Sequence, residues 1–319
     1  MNILSFVEMF PDENSCKEHF RNQREQEGIK CKKCGCQKHY WLKAKYQWQC
    51  SECKFRTCLR SGTTFQHSKL PIRIWYLAMA LMTMTKKGFS AKEMQKQLGH
   101  NRYQTIWRMM HKIREAMGNR EALYKLHGMI EFDEAYIKKE TSKNTELKRG
   151  KGSQGVQNVA VAGESTPLEN IETGVQSKQY GYLKMKVVQG HKATDIDKIV
   201  QENIDEKSII FSDKSKSYVN IDDYVDTHYE VKSRKESTKT TLQWVHISIS
   251  NVKRWLLGVH HKIKGKYLQA YLDEFCYKLN RRHFGEKLFD RLVLALSLIH
   301  ISEPTRLRRI SYAVFCLKK

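Results

Sequence analysis

No stretch of this sequence is apolar for long enough to cross a bilayer. The longest apolar run, Leu292 to Ile301, is interrupted by Ser297 and His300 and falls far short of the roughly twenty residues a spanning helix needs. A basic segment followed by an apolar one is missing from the start of the chain, where Glu8, Asp12 and Glu13 break up Met1 to Cys16, so no secretory signal is expected. No lipid-anchor motif stands out either. Acidic residues are scarce: 34 Asp and Glu face 57 Lys and Arg, a formal charge of +23 with a pI near 9.6. Such an excess favours polyanions, which release counterions when basic side chains replace them, and makes nucleic acid the leading partner and a membrane an unlikely one. With 319 residues, 40% of them hydrophobic, the chain can form two or three domains that each bury a core.

Four of the nine cysteines fall into two knuckles, Cys31-x-x-Cys34 and Cys50-x-x-Cys53. Each knuckle brings two thiolates to one side of a tight turn, so the pair supplies the four sulfur ligands of a structural Zn²⁺. A disulfide reading conflicts with a cytoplasmic setting, and a redox motif needs one pair only. Cys36 and Cys58 lie close enough in sequence to be alternatives, but the pairing favours the other four. Between the knuckles, His39-Tyr40-Trp41 and Tyr46-Gln47-Trp48-Gln49 alternate like a ribbon hairpin whose aromatic residues pack around the metal. Lys30, Lys32, Lys33, Lys43, Lys45, Lys54, Arg56 and Arg60 supply charge for phosphates, or a solvated basic face.

The middle of the chain is helical. From Pro71 to Thr85, Ile72, Ile74, Trp75, Leu77, Ala78, Leu81 and Met82 recur at helical spacing. Ser90 followed by Glu93 reads as a capping box, Gly99-His100 as a stop, and Arg102 to Met117 as a second helix. Helix, Gly-containing turn, helix is the helix-turn-helix pattern; a helical bundle linking two domains is the alternative. In the second helix Ile106, Trp107, Met110 and Ile113 form the packed face, while Arg102, Tyr103, Gln104 and Arg108 are the candidates for DNA contact.

After Gly128 the pattern turns to strands. Met129 to Ile137 is strand-like with Asp133 inside it, an uncommon place for a carboxylate unless it is a ligand, a base or an edge residue. Strand runs recur at Val156 to Gly163, Tyr182 to Gln189 and Ser208 to Phe211, the last followed by Ser212-Asp213 and preceded by a helix over Thr194 to Ile204. Three strands, a helix and a strand is the order of the RNase H-like fold, in which Asp133 and Asp213 lie on neighbouring strands and can bridge hard divalent ions. Between the first two strands Lys138 to Gly155 is basic, and Arg149 and Lys151 are candidates for a DNA clamp, or simply part of a solvated loop.

The segment Gln243 to Gly258, which includes Trp244, His246, Asn251, Lys253 and Arg254, then Tyr267 to Phe275 and Asn280-Arg281-Arg282, closely resembles the end of the Merlin-related bacterial insertion-sequence transposases of the insertion sequence 1595 type. The resemblance implies a multidomain α+β chain: a zinc ribbon (1–68), a helix-turn-helix segment (69–127) and an RNase H-like α/β catalytic domain of the DDE type (128–295). It places His246 where most such enzymes carry a Glu, with Lys253 two helical turns later on the same face. Imidazole suits Mn²⁺ better than Mg²⁺, so His246 is either a ligand or a residue that orients water or DNA, and a core histidine is the plain alternative. Glu134, Glu236 and Glu274 are other carboxylates, none of which fits the family pattern. Lys253 and Arg254 suit a phosphate beside the cut.

The resemblance thus implies a bacterial, nucleoid-associated transposase that binds terminal inverted repeats in double-stranded DNA. It also implies that Asp133, Asp213 and His246 act with Mg²⁺ or Mn²⁺ to cut and join strands, in a homo-oligomer on DNA. A catalytically inactive zinc-ribbon regulator and a purely hydrolytic RNase H-like nuclease are the competing readings. The final stretch, 296–319, resembles a translated sequencing adapter and is expected to be non-native.

Overall fold

The computed structural model describes residues 2–141, 153–169, 176–190, 192–231, 241–261 and 263–297. Two helices absent from the expectation open the chain, α1 (Ile3–Met9) and α2 (Glu13–Glu27). Their start signals are local: the Asn2 side chain accepts from the Ser5 amide, and Asp12 and Ser15 form a reciprocal capping box. Three antiparallel strands follow, β1 (His39–Leu42), β2 (Gln47–Cys50) and β3 (Arg56–Cys58). Their aromatic residues divide. Tyr40 is exposed, whereas Trp48 is fully buried, packs at a tilt against Trp41 and donates its indole N–H to Glu25 of α2 at 2.9 Å. The ribbon therefore shares its core with the helices in front of it.

Three more helices complete this half: α3 (Ile72–Met84), α4 (Ala91–Gln97) and α5 (Tyr103–Ala122). Ser90 caps α4 by accepting from the Glu93 amide, and Gly99, at φ +60°, makes the left-handed turn that reverses the chain into α5. Ile106, Met110 and Ile113 enter the core, while Trp107 turns to Tyr267 in the other half of the molecule.

The second half is built on a mixed sheet of β4 (Met129–Lys138), β5 (Val156–Glu169), β6 (Gln176–Val187), β7 (Ile209–Asp213) and β8 (Thr227–Val231) in the order β6-β5-β4-β7-β8. The first three strands run antiparallel, and β7 and β8 run parallel to β4. Sequence reading anticipates four of these strands; β8, a short edge strand reading Thr-His-Tyr-Glu-Val, has too little apolar pattern to stand out. Helix α6 (Ala193–Asn203) covers one face, and α7 (Gln243–Val259) and α8 (Gly265–Asn280) the other.

A last helix, α9 (Leu288–Ser297), packs away from the sheet, setting Phe289 against Phe6, Phe10 and Tyr76 in the N-terminal core. Leu296 and Ser297, which begin the stretch read as adapter-derived, complete this helix: Leu296 is buried, its carbonyl accepts from Thr64, and the Ser297 hydroxyl donates to Glu27. Residues 298–319 lie outside the described residues.

Helix α5 bridges the halves. It approaches α8 so closely that a Cβ on Gly118 would meet the Asp273 carboxylate at 2.5 Å. Arg114 of α5 and Glu274 of α8 form a buried ion pair at 2.7 Å, and Glu121 binds both Asn280 and Arg281. Arg114→Ala strands a fully buried carboxylate, so it is expected to cost about 3–5 kcal/mol, read as a lower urea midpoint.

Candidate active site and metal centre

Asp133 sits on β4, where side chains alternate between faces. Ile130 and Phe132 point into the core beneath α6, whereas Ala135 and Ile137 point toward α7 and α8; Asp133 shares that second face. The parallel pairing of β4 with β7 runs from Met129 opposite Ile209 to Phe132 opposite Ser212, so the next step sets Asp133 beside Asp213. The Asp133 carboxylate accepts from the Glu134 amide at 2.7 Å and lies 3.7 Å from Nδ1 of His246, in the first turns of α7. Burial, and next to it the Asp213 charge, push the Asp133 carboxyl up to about 6, against the pull of the Glu134 amide and His246.

Two adjacent carboxylates are hard oxygen donors suited to a divalent cation. His246 turns its Nδ1 toward Asp133, and its Nε2 is buried with no hydrogen-bond partner, so the ring is not committed to a hydrogen bond elsewhere. The three residues therefore fit a divalent ion in kind, but they do not close into a single tight cage. Among the described residues only Cys31, Cys34, Cys50 and Cys53 set their ligand atoms all within 4.8 Å of one another.

That second site is compact. Cys31 and Cys53 sulfurs lie 3.4 Å apart and those of Cys34 and Cys50 3.5 Å apart, so the two knuckles cross-pair, as a tetrahedral four-thiolate site requires. Cys36 contacts Ser51 and Cys58 contacts Gln47; neither joins the cluster.

A third feature is an open cleft of about 1350 Å³ between the start of α3 and the start of α5. Arg102, Tyr103, Gln104 and Arg108 all line it, with Lys69 and Lys112.

Residues 125–280 match the family model of the ISXO2-like transposase domain. The matched stretch contains Asp133, Asp213, His246 and Lys253 and ends at Asn280. No curated protein matches the sequence. Similar solved structures include the Mos1 mariner paired-end complex with Mn, at 11% identity over 69% of this chain and 76% of that one with a TM-score of 0.28. A pre-cleavage Mos1 transpososome is 9% identical over 70% of this chain and 79% of that one, with a TM-score of 0.24.

Within the matched stretch Lys253 and Arg254 are exposed on α7, Lys253 seven residues and about two turns beyond His246. Arg149 and Lys151 lie outside the described residues, as does Glu236. Of the other carboxylates weighed from sequence, Glu274 is held by Arg114. Glu134, next to Asp133 on the opposite face, accepts from Tyr136 and Asn158. The matched stretch also contains a carboxylate that sequence reading passes over. Glu131 is buried two residues before Asp133, on the same face, and accepts from the backbone at the start of α7. Its only sequence signal is a third acid in a strand already marked by Asp133 and Glu134.

The described residues contain no helix long and apolar enough to cross a membrane.

Proposed function

We propose that this chain binds the terminal inverted repeats of a mobile element and catalyses metal-dependent cutting of their 3′ strands and joining to target DNA. One observation carries the reading: inside a transposase domain, Asp133 and Asp213 stand at adjacent positions on neighbouring parallel strands, with His246 3.7 Å from Asp133. On this reading Asp133, Asp213 and His246 hold Mg²⁺ or Mn²⁺, and Cys31, Cys34, Cys50 and Cys53 hold Zn²⁺. When bound, the divalent ions would lower the pKa of the attacking water or 3′-hydroxyl and neutralise charge on the phosphate.

The protein's own groups do the rest. Asp133 must lose its proton, and the Glu134 amide fixes one of its oxygens. Lys253 and Arg254 hold the phosphates flanking the cut, and Arg102, Tyr103, Gln104 and Arg108 hold the end duplex in the cleft of α5. The division of labour follows the segments read from sequence, with ribbon and helix-turn-helix delivering DNA to the sheet. Two ends have to be processed together, so the working form is a homo-oligomer on double-stranded DNA.

The openness of the acid-imidazole cluster favours one competing reading, a DNA-binding regulator with an inactive domain. A linear duplex ended by the element's repeats, mixed with a target plasmid and Mn²⁺ or Mg²⁺, separates the readings. Joined product supports the transposase, cleavage without joining indicates a nuclease, and binding with neither indicates the regulator. In the same system Arg108→Ala is expected to weaken end binding by about 1–3 kcal/mol and to flatten the salt dependence by about one ion, measured by fluorescence anisotropy across a salt series.

A further inference from the structure

We propose that Glu131 is a positioning residue for His246, the strut that sets the distance between the two sides of the metal site; this rests on the reading of His246 given above. The carboxylate of Glu131 is 1% exposed and reaches across from β4 to the first turn of α7. One of its oxygens accepts from the Trp244 amide at 2.7 Å and the Val245 amide at 3.0 Å. Helix α7 has no side-chain cap of its own, since Leu242 occupies that position, so Glu131 supplies the cap from a different part of the chain. A negative group there also meets the positive end of the helix dipole.

The other oxygen faces Lys178 of β6 at 3.6 Å, and the same ammonium donates to the Thr241 carbonyl just before the helix. Tyr180, two residues along β6, shares a 2.6 Å hydrogen bond with Ser248 and stacks on Trp244 at 5.2 Å. The first turn of α7 is thereby fixed to the sheet on both sides of His246. The geometry is short: Asp133 lies two residues beyond Glu131 on one strand face, and His246 one residue beyond Val245. A local Ser or Asn at the cap would satisfy the helix without desolvating a charge. A carboxylate from β4 does something a local cap does not, because it ties the helix end to the strand that carries Asp133.

A residue that only stabilises the fold and one that places His246 differ in how they combine with loss of the imidazole. Mn²⁺ affinity is measured on zinc-loaded full-length protein by titration of the free-ion electron paramagnetic resonance signal, for wild type, Glu131→Gln, His246→Ala and the double variant. Glu131→Gln keeps the size of the side chain and an oxygen acceptor, and a thermal melt together with end-DNA affinity checks that it is folded. About a tenfold weaker Mn²⁺ affinity is expected for Glu131→Gln, typical of a partner that orients a metal ligand. The double variant is expected to bind no more weakly than His246→Ala alone. Wild-type affinity in Glu131→Gln, or a double variant weakened by the product of the two single effects, overturns the strut. Unchanged affinity in His246→Ala overturns both the strut and the assignment of His246, and so is told apart from failure of the strut alone.

Discussion

Asp133→Asn is expected to lower strand cleavage by on the order of a thousandfold or more while changing end-DNA affinity by less than about twofold. The size follows from what a divalent ion would supply to phosphoryl transfer, several kcal/mol of charge stabilisation, which would be lost when one of the two carboxylates proposed to hold it becomes an amide. DNA affinity is expected to survive because the cleft proposed to hold the duplex, lined by Arg102 and Arg108, lies on other elements. The same substitution has a second, opposite effect. Burial and Asp213 raise the Asp133 carboxyl from 3.8 to about 6, so the folded protein without divalent metal keeps this proton to a higher pH than the unfolded chain does. Between pH 4 and 6 the folded state then holds more protons than the unfolded chain, and stability falls as pH rises through that window. Above it the penalty, up to about 3 kcal/mol, is fully present. Asp133→Asn removes the charge and with it this fall, so thermal melts of zinc-loaded protein without Mg²⁺ or Mn²⁺ should show a variant more stable than wild type at pH 7. A cleavage rate close to wild type in this variant would sink the active-site assignment.

Cys50→Ser is expected to unfold the ribbon outright. Cys50 is fully buried and sits at the junction of β2 and the second knuckle, 3.5 Å from Cys34 across the cluster. A structural zinc contributes about 10–16 kcal/mol to modules of this kind, far more than three short strands can replace. The damage should spread, because Trp48 of β2 lies in the same core as Phe20 and Phe65 and is gripped by Glu25 and Arg24 of α2. Metal analysis should therefore show loss of the bound zinc, and limited proteolysis should cut within the first seventy or so residues. End-DNA affinity should fall by at least about tenfold if the ribbon is, as proposed, one of two modules that hold the DNA. Retention of one zinc per chain and an uncut ribbon in Cys50→Ser would overturn the assignment of Cys50 as a ligand the fold depends on.

The parts of this molecule legible in its sequence are those whose causes are local. Knuckle spacing, the Ser90 cap, the Gly99 turn and the strand around Asp133 are written in stretches of a few residues. The Asn2 and Asp12–Ser15 caps of α1 and α2 are equally local, but the helices they start are short or polar and leave no strong periodicity. Strand β8 has the same weakness. Glu131 is hidden for a different reason: its partners, Trp244 and Val245, lie 113 and 114 residues away, and nothing near Glu131 announces them. The Arg114–Glu274 pair, separated by 160 residues, is invisible on the same grounds, as is the return of α9 to the N-terminal core.

Helix α5 has twenty residues, Tyr103 to Ala122, and so is about 30 Å long. Its first turn borders the basic cleft, and its later turns are bolted to α8 and, through Asn280, to β6. Such a rod acts as a caliper. If its tip reads a base pair, the spot where the carboxylates meet the backbone lies a fixed interval along the duplex, and one inserted base pair would rotate the scissile phosphate out of phase by about a tenth of a helical turn.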